Sequence, residues 1–264
     1  MLLGMLCMAQ AKDRIVERPP FLAQNSSSIE IDKIVMSDTV TTVYIKAFYR
    51  PKYWIKIATG SVLKDNNGIL YPIRKGIGIT LDKEFWMPES GEAEFQLTFP
   101  PIPQNVTRLD FSEGDFEGAY KIWGIQLDKK SFGKFKLPKD VIVPKADHKM
   151  TLPDPIVKYD KAILKGRILD YQKGMPDKGS LYYQDVIREG AQEGKIRIQD
   201  DGTFYHEMNV FMITPCTIMF PFGTIEYLLA PGETTSIVIN LRENARKQSH
   251  LRQAEKPYGK EVYY

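Results

Sequence analysis

The stretch Glu94-Phe95-Gln96-Leu97-Thr98-Phe99-Pro100-Pro101-Ile102-Pro103 decides the fold class. Phe95, Leu97 and Phe99 fall on one side of an extended chain, and Glu94, Gln96 and Thr98 on the other, because strand side chains alternate between faces. The prolines that follow stop the strand, since proline has no N–H to give to a ladder. The same period of two recurs upstream. There Thr41, Val43, Ile45 and Ala47 alternate with Thr42, Tyr44, Lys46 and Phe48. Asp65-Asn66-Asn67-Gly68, between Val62-Leu63 and Ile69-Leu70, reads as a hairpin turn. Strand-like runs near 106–111 and 121–127 complete the set, and no helical periodicity exceeds two turns. Residues 25–130 are therefore expected to form a β-sandwich.

A second unit is expected over 161–241. Ala162, Leu164, Gly166 and Ile168 share one face of its opening strand. Asp200-Asp201-Gly202-Thr203 and Ala230-Pro231-Gly232-Glu233 are turns, with Thr235, Ile237, Ile239 and Leu241 in phase after the second. The connector 131–160 is rich in proline and lysine and is read as a linker, partly packed. The fold class is thus all-β, with two small antiparallel β-sandwiches, Ig-like or transthyretin-like, and a short C-terminal helical tail. In that tail, 242–264, only Ala245, Leu251 and Ala254 are apolar between Arg242 and Lys256. So thin a stripe predicts weak docking. Arg242, Arg246, Lys247 and Arg252 are expected on a solvated helix face, or against an acidic partner. The apolar end Glu261-Val262-Tyr263-Tyr264 suits either a truncated chain or a C-terminal strand.

Composition narrows the function classes. A net charge of +3 over 264 residues, with no long basic run, argues against nucleic acid as a partner. Residues 1–11 read as a signal segment: Met1 to Met8 is apolar, and Ala9-Gln10-Ala11 places small residues where a signal peptidase needs them. The missing basic region puts the expected start upstream of Met1, and Gly4-Met5-Leu6 matches the residues before a lipidated cysteine poorly. No other stretch has the length of a membrane span. Export to the periplasm or cell envelope follows. Of the two cysteines, Cys7 leaves with that segment. Cys216 alternates with Ile218 and Phe220 in an apolar strand and is expected to be a buried thiol, without a partner for a disulfide or a redox pair.

No catalytic, cofactor or metal site is expected. His148, His206 and His250 are scattered, and the acidic groups at Asp200-Asp201, at Glu89, Glu92 and Glu94, and at Glu113, Asp115 and Glu117 sit in or beside turns. Solvated loops or weak calcium contacts are their expected roles. The motifs GxSxG, GxGxxG, HExxH and the phosphate-binding loop are all missing. Trp54, Trp86 and Trp123, with Tyr53, are the candidate binding residues of the first unit. Aromatics of this kind most often fill a core; exposed in a line, they would bind sugar rings or a partner surface.

Several segments resemble the N-terminal region of Bacteroidetes TlpA-like thiol-disulfide oxidoreductases. They are Ser37-Asp38-Thr39, Tyr49-Arg50-Pro51-Lys52-Tyr53-Trp54-Ile55-Lys56-Ile57-Ala58, Leu81-Asp82-Lys83-Glu84-Phe85-Trp86-Met87-Pro88 and Leu97 to Pro103. Tyr120 to Leu127 is similar to the closing strand of that region, and Leu164-Lys165-Gly166, Asp201 to Phe204, Pro231-Gly232-Glu233 and Arg246 to Lys256 extend the likeness. The resemblance implies that a longer relative continues into a thioredoxin domain bearing Cys-x-x-Cys. This sequence holds no such pair, so thiol-disulfide exchange is not expected of the chain itself. The implied role is a non-catalytic accessory module, its partner the missing thioredoxin domain or an envelope client. The alternative is a freestanding envelope protein that binds glycan or protein.

Overall fold

A computed structural model describes residues 13–128, 132–141, 157–184 and 190–264. The expected signal segment, most of the connector and His148 lie outside the described residues. The chain is all-β and divides into two units: Met1–Phe21 with Ser26–Gly133, and Leu22–Asn25, which holds the short strand β2 (Ala23–Gln24), with Lys134–Tyr264.

In the first unit one sheet runs in the order β1 (Arg14–Glu17), β3 (Ile29–Met36), β4 (Thr41–Phe48), β10 (Glu92–Phe99), β8 (Lys75–Ile77). A second places β12 (Lys121–Gln126), β11 (Arg108–Ser112), β6 (Val62–Asp65) and β7 (Leu70–Pro72) side by side. A separate ribbon joins β5 (Trp54–Ile55) to β9 (Phe85–Trp86). The alternation read from the sequence is the one that forms. Phe95, Leu97 and Phe99 are buried, and so are Thr41, Val43, Ile45 and Ala47 on the neighbouring strand. In their register Leu97 stands opposite Val43 and Phe95 opposite Ile45. On the other face Glu94 lies opposite Lys46 and pairs with it at 3.3 Å. Leu63, Leu109, Phe111, Ile122 and Ile125 supply the second sheet's buried face. Each such side chain contributes about 1.5–3 kcal/mol on burial.

The 65–68 turn forms as its residues require. Asp65 Oδ1 accepts from the N–H groups of Asn67 and Ile69, and the Tyr71 hydroxyl donates to Oδ2 at 3.1 Å. Burial alone would raise the Asp65 pKa, but these bonds outweigh it and hold the carboxyl below its usual range.

In the second unit one sheet is β16 (Thr203–Val210), β13 (Asp160–Leu169), β19 (Thr234–Asn240), β20 (Val262–Tyr263). The other is β15 (Ala191–Arg197), β14 (Lys178–Gln184), β17 (Thr214–Phe220), β18 (Gly223–Leu229). β13 and β19 pair in parallel, whereas the other named strand pairs of this unit are antiparallel; the intervening strands supply the long crossover such a pair needs. At the 200–203 turn Asp201 Oδ1 accepts from Thr203 N, and Gly202 adopts φ +82°, where a Cβ would meet the Ile168 carbonyl oxygen at 2.7 Å.

Within the connector, residues 134–141 group with the second unit, where Asp140 accepts two bonds from the Arg167 guanidinium. One expectation is corrected here. The tail is no loose appendage. Its helix α1 (Leu241–Gln248) is followed by turns and by β20, which pairs with β19. The thin apolar stripe misleads because buried polar groups take its place. Asn240, wholly buried, caps α1 through the Glu243 N–H and donates to the Tyr258 and Lys260 carbonyls. Arg242 forks onto Asp170 at 2.7 and 2.9 Å, Arg246 onto Glu243, Arg252 onto Glu255, and Lys247 reaches Glu261. All four cations thus pair within the chain, and only Lys247 among them keeps a half-exposed side chain. No helix among the described residues is long and apolar enough to cross a membrane.

Candidate functional site

The β5–β9 ribbon grows out of the β4–β10 ladder. Beyond the Phe48–Glu92 pair, Tyr49 N donates to the Gly91 carbonyl at 2.9 Å. A turn at 50–53, with Lys52 at φ 62°, then carries the chain into β5. Met87 N donates to Tyr53 O at 2.8 Å, and the register sets Trp54 opposite Trp86 and Ile55 opposite Phe85. Because the ladder bond joins Tyr53 and Met87, the Trp54–Trp86 pair occupies the next, non-hydrogen-bonded position, where facing side chains stand closest.

The two faces of the ribbon differ. Ile55 is buried, and the Phe85 ring lies 6.2 Å from that of Phe95, so this face is anchored in the core. Trp54 and Trp86 share the opposite face and are 44% and 60% exposed. Residues behind the ribbon are tied down. Asp82 N donates to Ile57 O, and the Asp82 carboxylate accepts from the Thr59 hydroxyl and N–H at 2.6 and 3.1 Å. The Thr59 bonds lower the Asp82 pKa. A surface held this way loses little freedom on binding.

Of the four candidate residues, the structure brings Trp54 and Trp86 together. Strand alternation carries Tyr53 to the other side. Its ring meets that of Tyr49 edge-on at 6.3 Å, with the Arg50 guanidinium 5.8 Å from its centroid. Trp123 is half-buried on β12, outside the ribbon, next to a bulge where Gly124 N donates to Asp110. The expectation that the tryptophans fill the core is overturned for Trp54 and Trp86. Core-facing positions on so short a ribbon go to its other face.

Glu113 is the residue that sequence reasoning missed. The expectation for its cluster is a solvated loop or weak calcium contacts, but Glu113 is buried, and its two oxygens accept from Ala58 N at 2.9 Å and Tyr120 N at 3.0 Å. Burial pushes its pKa up, against the pull of those two bonds and of Lys56. It is a clamp between two loops. No signal in the sequence separates it from Asp115, which is exposed and pairs with Lys121. Asp200 pairs with Lys173, Asp201 caps its own turn, and Glu89 pairs with Lys52. Among the described residues no three metal-ligating side chains come together.

Cys216 is buried, as its alternation requires, and burial pushes its thiol up to about 11. A thiol so placed is scarcely ionised at neutral pH and makes a poor nucleophile. His206 is half-buried above Gly194, and burial lowers its pKa.

No known family model and no curated protein matches the sequence. Among solved structures, the chain is similar to type I pullulanase from Bacillus subtilis complexed with maltose, at 9% identity and a TM-score of 0.28 over 76% of this chain and 24% of that one. A pullulanase from Anoxybacillus complexed with maltotriose gives 11% identity and 0.27, over 72% and 24%. The Bacillus anthracis TIE protein gives 9% and 0.22, over 87% and 40%. The chain thus spans about a quarter of the pullulanases' length, and likeness this low carries no inference about ligand or activity.

Proposed function

We propose that this chain is an exported, non-catalytic binding module and that it holds glycan across the Trp54–Trp86 pair. The observation that carries the reading is a pair of exposed indoles, directly opposite each other, on a ribbon whose other face is anchored in the core. Large aromatics left in water gain free energy when a ligand covers them. A pyranose ring suits the task. Its C–H face is apolar and stacks on an indole, and its hydroxyls stay at the rim, toward charged groups such as Lys52 and Glu89. Facing side chains on paired strands stand about 5 Å apart, close to the length of one sugar unit, so successive sugars can each meet an indole.

Binding to insoluble polysaccharides and a glycan array tests this. Trp54→Ala and Trp86→Ala should each weaken binding by about tenfold or more, with far-UV circular dichroism unchanged. Trp123→Phe should leave binding intact. Silence of the wild-type chain on every glycan would sink the proposal.

A second reading rests on the place of the family resemblance. Tyr49 to Ala58 and Leu81 to Pro88, which carry much of it, are the segments that build the ribbon. Here the chain is an accessory module of an exported TlpA-type protein, and the same indoles dock a thioredoxin domain or an envelope client. Binding to a TlpA-type thioredoxin domain that Trp86→Ala removes, with no glycan binding, is the outcome that favours it.

A further inference from the structure

At one end of the β15-β14-β17-β18 sheet, the 178–180, 195–197 and 219–221 segments enclose a groove of about 580 Å³. We propose that this groove binds a free medium-chain fatty acid, with the alkyl chain on Tyr182, Met219 and Pro221 and the carboxylate among Lys178, Lys195 and Arg197.

The size lies within the range of small-molecule sites, and so does the make-up: a mostly apolar floor with a few converging polar groups. Ser180, Tyr182 and Met219 share the outer face of the sheet with the three cations, and Met219 is 49% exposed there, whereas Ile196 and Phe220 alternate to the core face beneath the groove. The charges are the second, independent observation. Lys178 stands directly opposite Arg197 in the β14–β15 register, and Lys195 lies opposite Ser180, two residues further along the same face. Like charges directly opposite destabilise a sheet, so this arrangement works against the fold.

The acids nearby do little to relieve it. Asp177 Oδ2 is 3.8 Å from Arg197 Nε, a long and exposed contact. Glu193 accepts from the Ser180 hydroxyl at 3.2 Å. Lys178 and Lys195 have no ion pair among the described residues. An anion would relieve the repulsion, and an attached alkyl chain would cover the floor. A groove of this size suits a single free amphiphile rather than a bilayer surface.

The test is calorimetric titration of the full chain with decanoate, decanol and decyltrimethylammonium, alongside vesicles containing phosphatidylglycerol. Decanoate is expected to bind at one site, about tenfold tighter than decanol, and to weaken as salt rises. The cation should not bind. The double variant Lys178→Glu with Lys195→Glu changes exposed side chains only, and it should lose decanoate and accept the cation. Decanol binding as tightly as decanoate would overturn the proposal. So would binding that ignores the double substitution, or binding to vesicles without binding to decanoate. Far-UV circular dichroism and urea denaturation of the double variant check that the second unit, which holds both lysines, is folded.

Discussion

Glu243→Ala is expected to destabilise the second unit by about 3–5 kcal/mol, the size of effect seen when one partner of a buried ion pair is removed. Glu243 is 1% exposed, and every bond its carboxylate makes comes from the tail. Arg246 donates Nε and Nη2 at 3.0 and 2.7 Å, and Tyr258 N donates at 2.8 Å. Truncation leaves the Arg246 charge buried without its counter-ion and the Tyr258 amide without its acceptor. Arg246 also holds the Gln253 carbonyl at 2.6 Å, so its release frees the turn that leads to β20. Urea denaturation measures the loss. Hydrogen exchange should locate it, with faster exchange from Tyr258 to Tyr264 before the rest of the unit responds.

The same pair gives a pH dependence. Burial alone would raise the Glu243 pKa, but the Arg246 and Tyr258 bonds outweigh it, and the folded value lies below the ordinary 4.5. A carboxyl whose pKa is lowered by folding stabilises above its unfolded value, and that stability is lost as pH falls through the folded one. The stability gap between wild type and Glu243→Gln should therefore be full at neutral pH and shrink on acidification below about 4.5. A gap that stays constant down to strong acid would mean that charge is not what Glu243 contributes.

Gly166→Ala is the second large effect. Gly166 faces Phe204 across β13 and β16, and a Cβ at this position would lie 1.9 Å from Phe204 Cζ. The ring has nowhere to go. Phe204 is buried and meets Phe220 edge-on at 5.5 Å, and Phe220 in turn stacks on Phe222 at 5.2 Å. Replacing glycine usually gains about 0.4–1 kcal/mol from a less free unfolded chain. Overpacking a tight core costs about 1–3 kcal/mol and sometimes more, so the clash wins. The expected outcome is a net loss of about 1–2 kcal/mol or greater in thermal or urea denaturation. Phe204→Leu in the same chain should recover part of it. If the two substitutions simply add, the ring over Gly166 is not the cause.

How much of this was legible in the sequence depends on the range of the interaction concerned. Alternation along β4, β10 and β13 is local, and it named the buried faces before any partner strand was known. The 65–68 and 200–203 turns were equally plain, because Asp65 and Asp201 bond to amides within a few residues. Cys216 was placed by the same rule.

The tail failed because its stabilising groups are distant in sequence. Arg242 finds Asp170 72 residues away, and Asn240 finds the Lys260 carbonyl 20 residues on. An apolar-stripe argument sees neither, and so predicts weak docking for a helix that is held by buried polar bonds. Glu113 was misread for a related reason. Its partners at Ala58 and Tyr120 are brought to it only when the loops close.

By itself, then, the sequence determined that this protein is all-β in two units, where the long strands lie and which of their faces is buried. The period of two is a property of each strand alone. Tertiary structure decided the parallel β13–β19 pair, the burial of the tail and the exposure of the candidate site. Four candidate aromatics looked equivalent in the chain. Trp54 and Trp86 became a surface because an antiparallel register put them side by side on the uncovered face, and register is set by the partner strand.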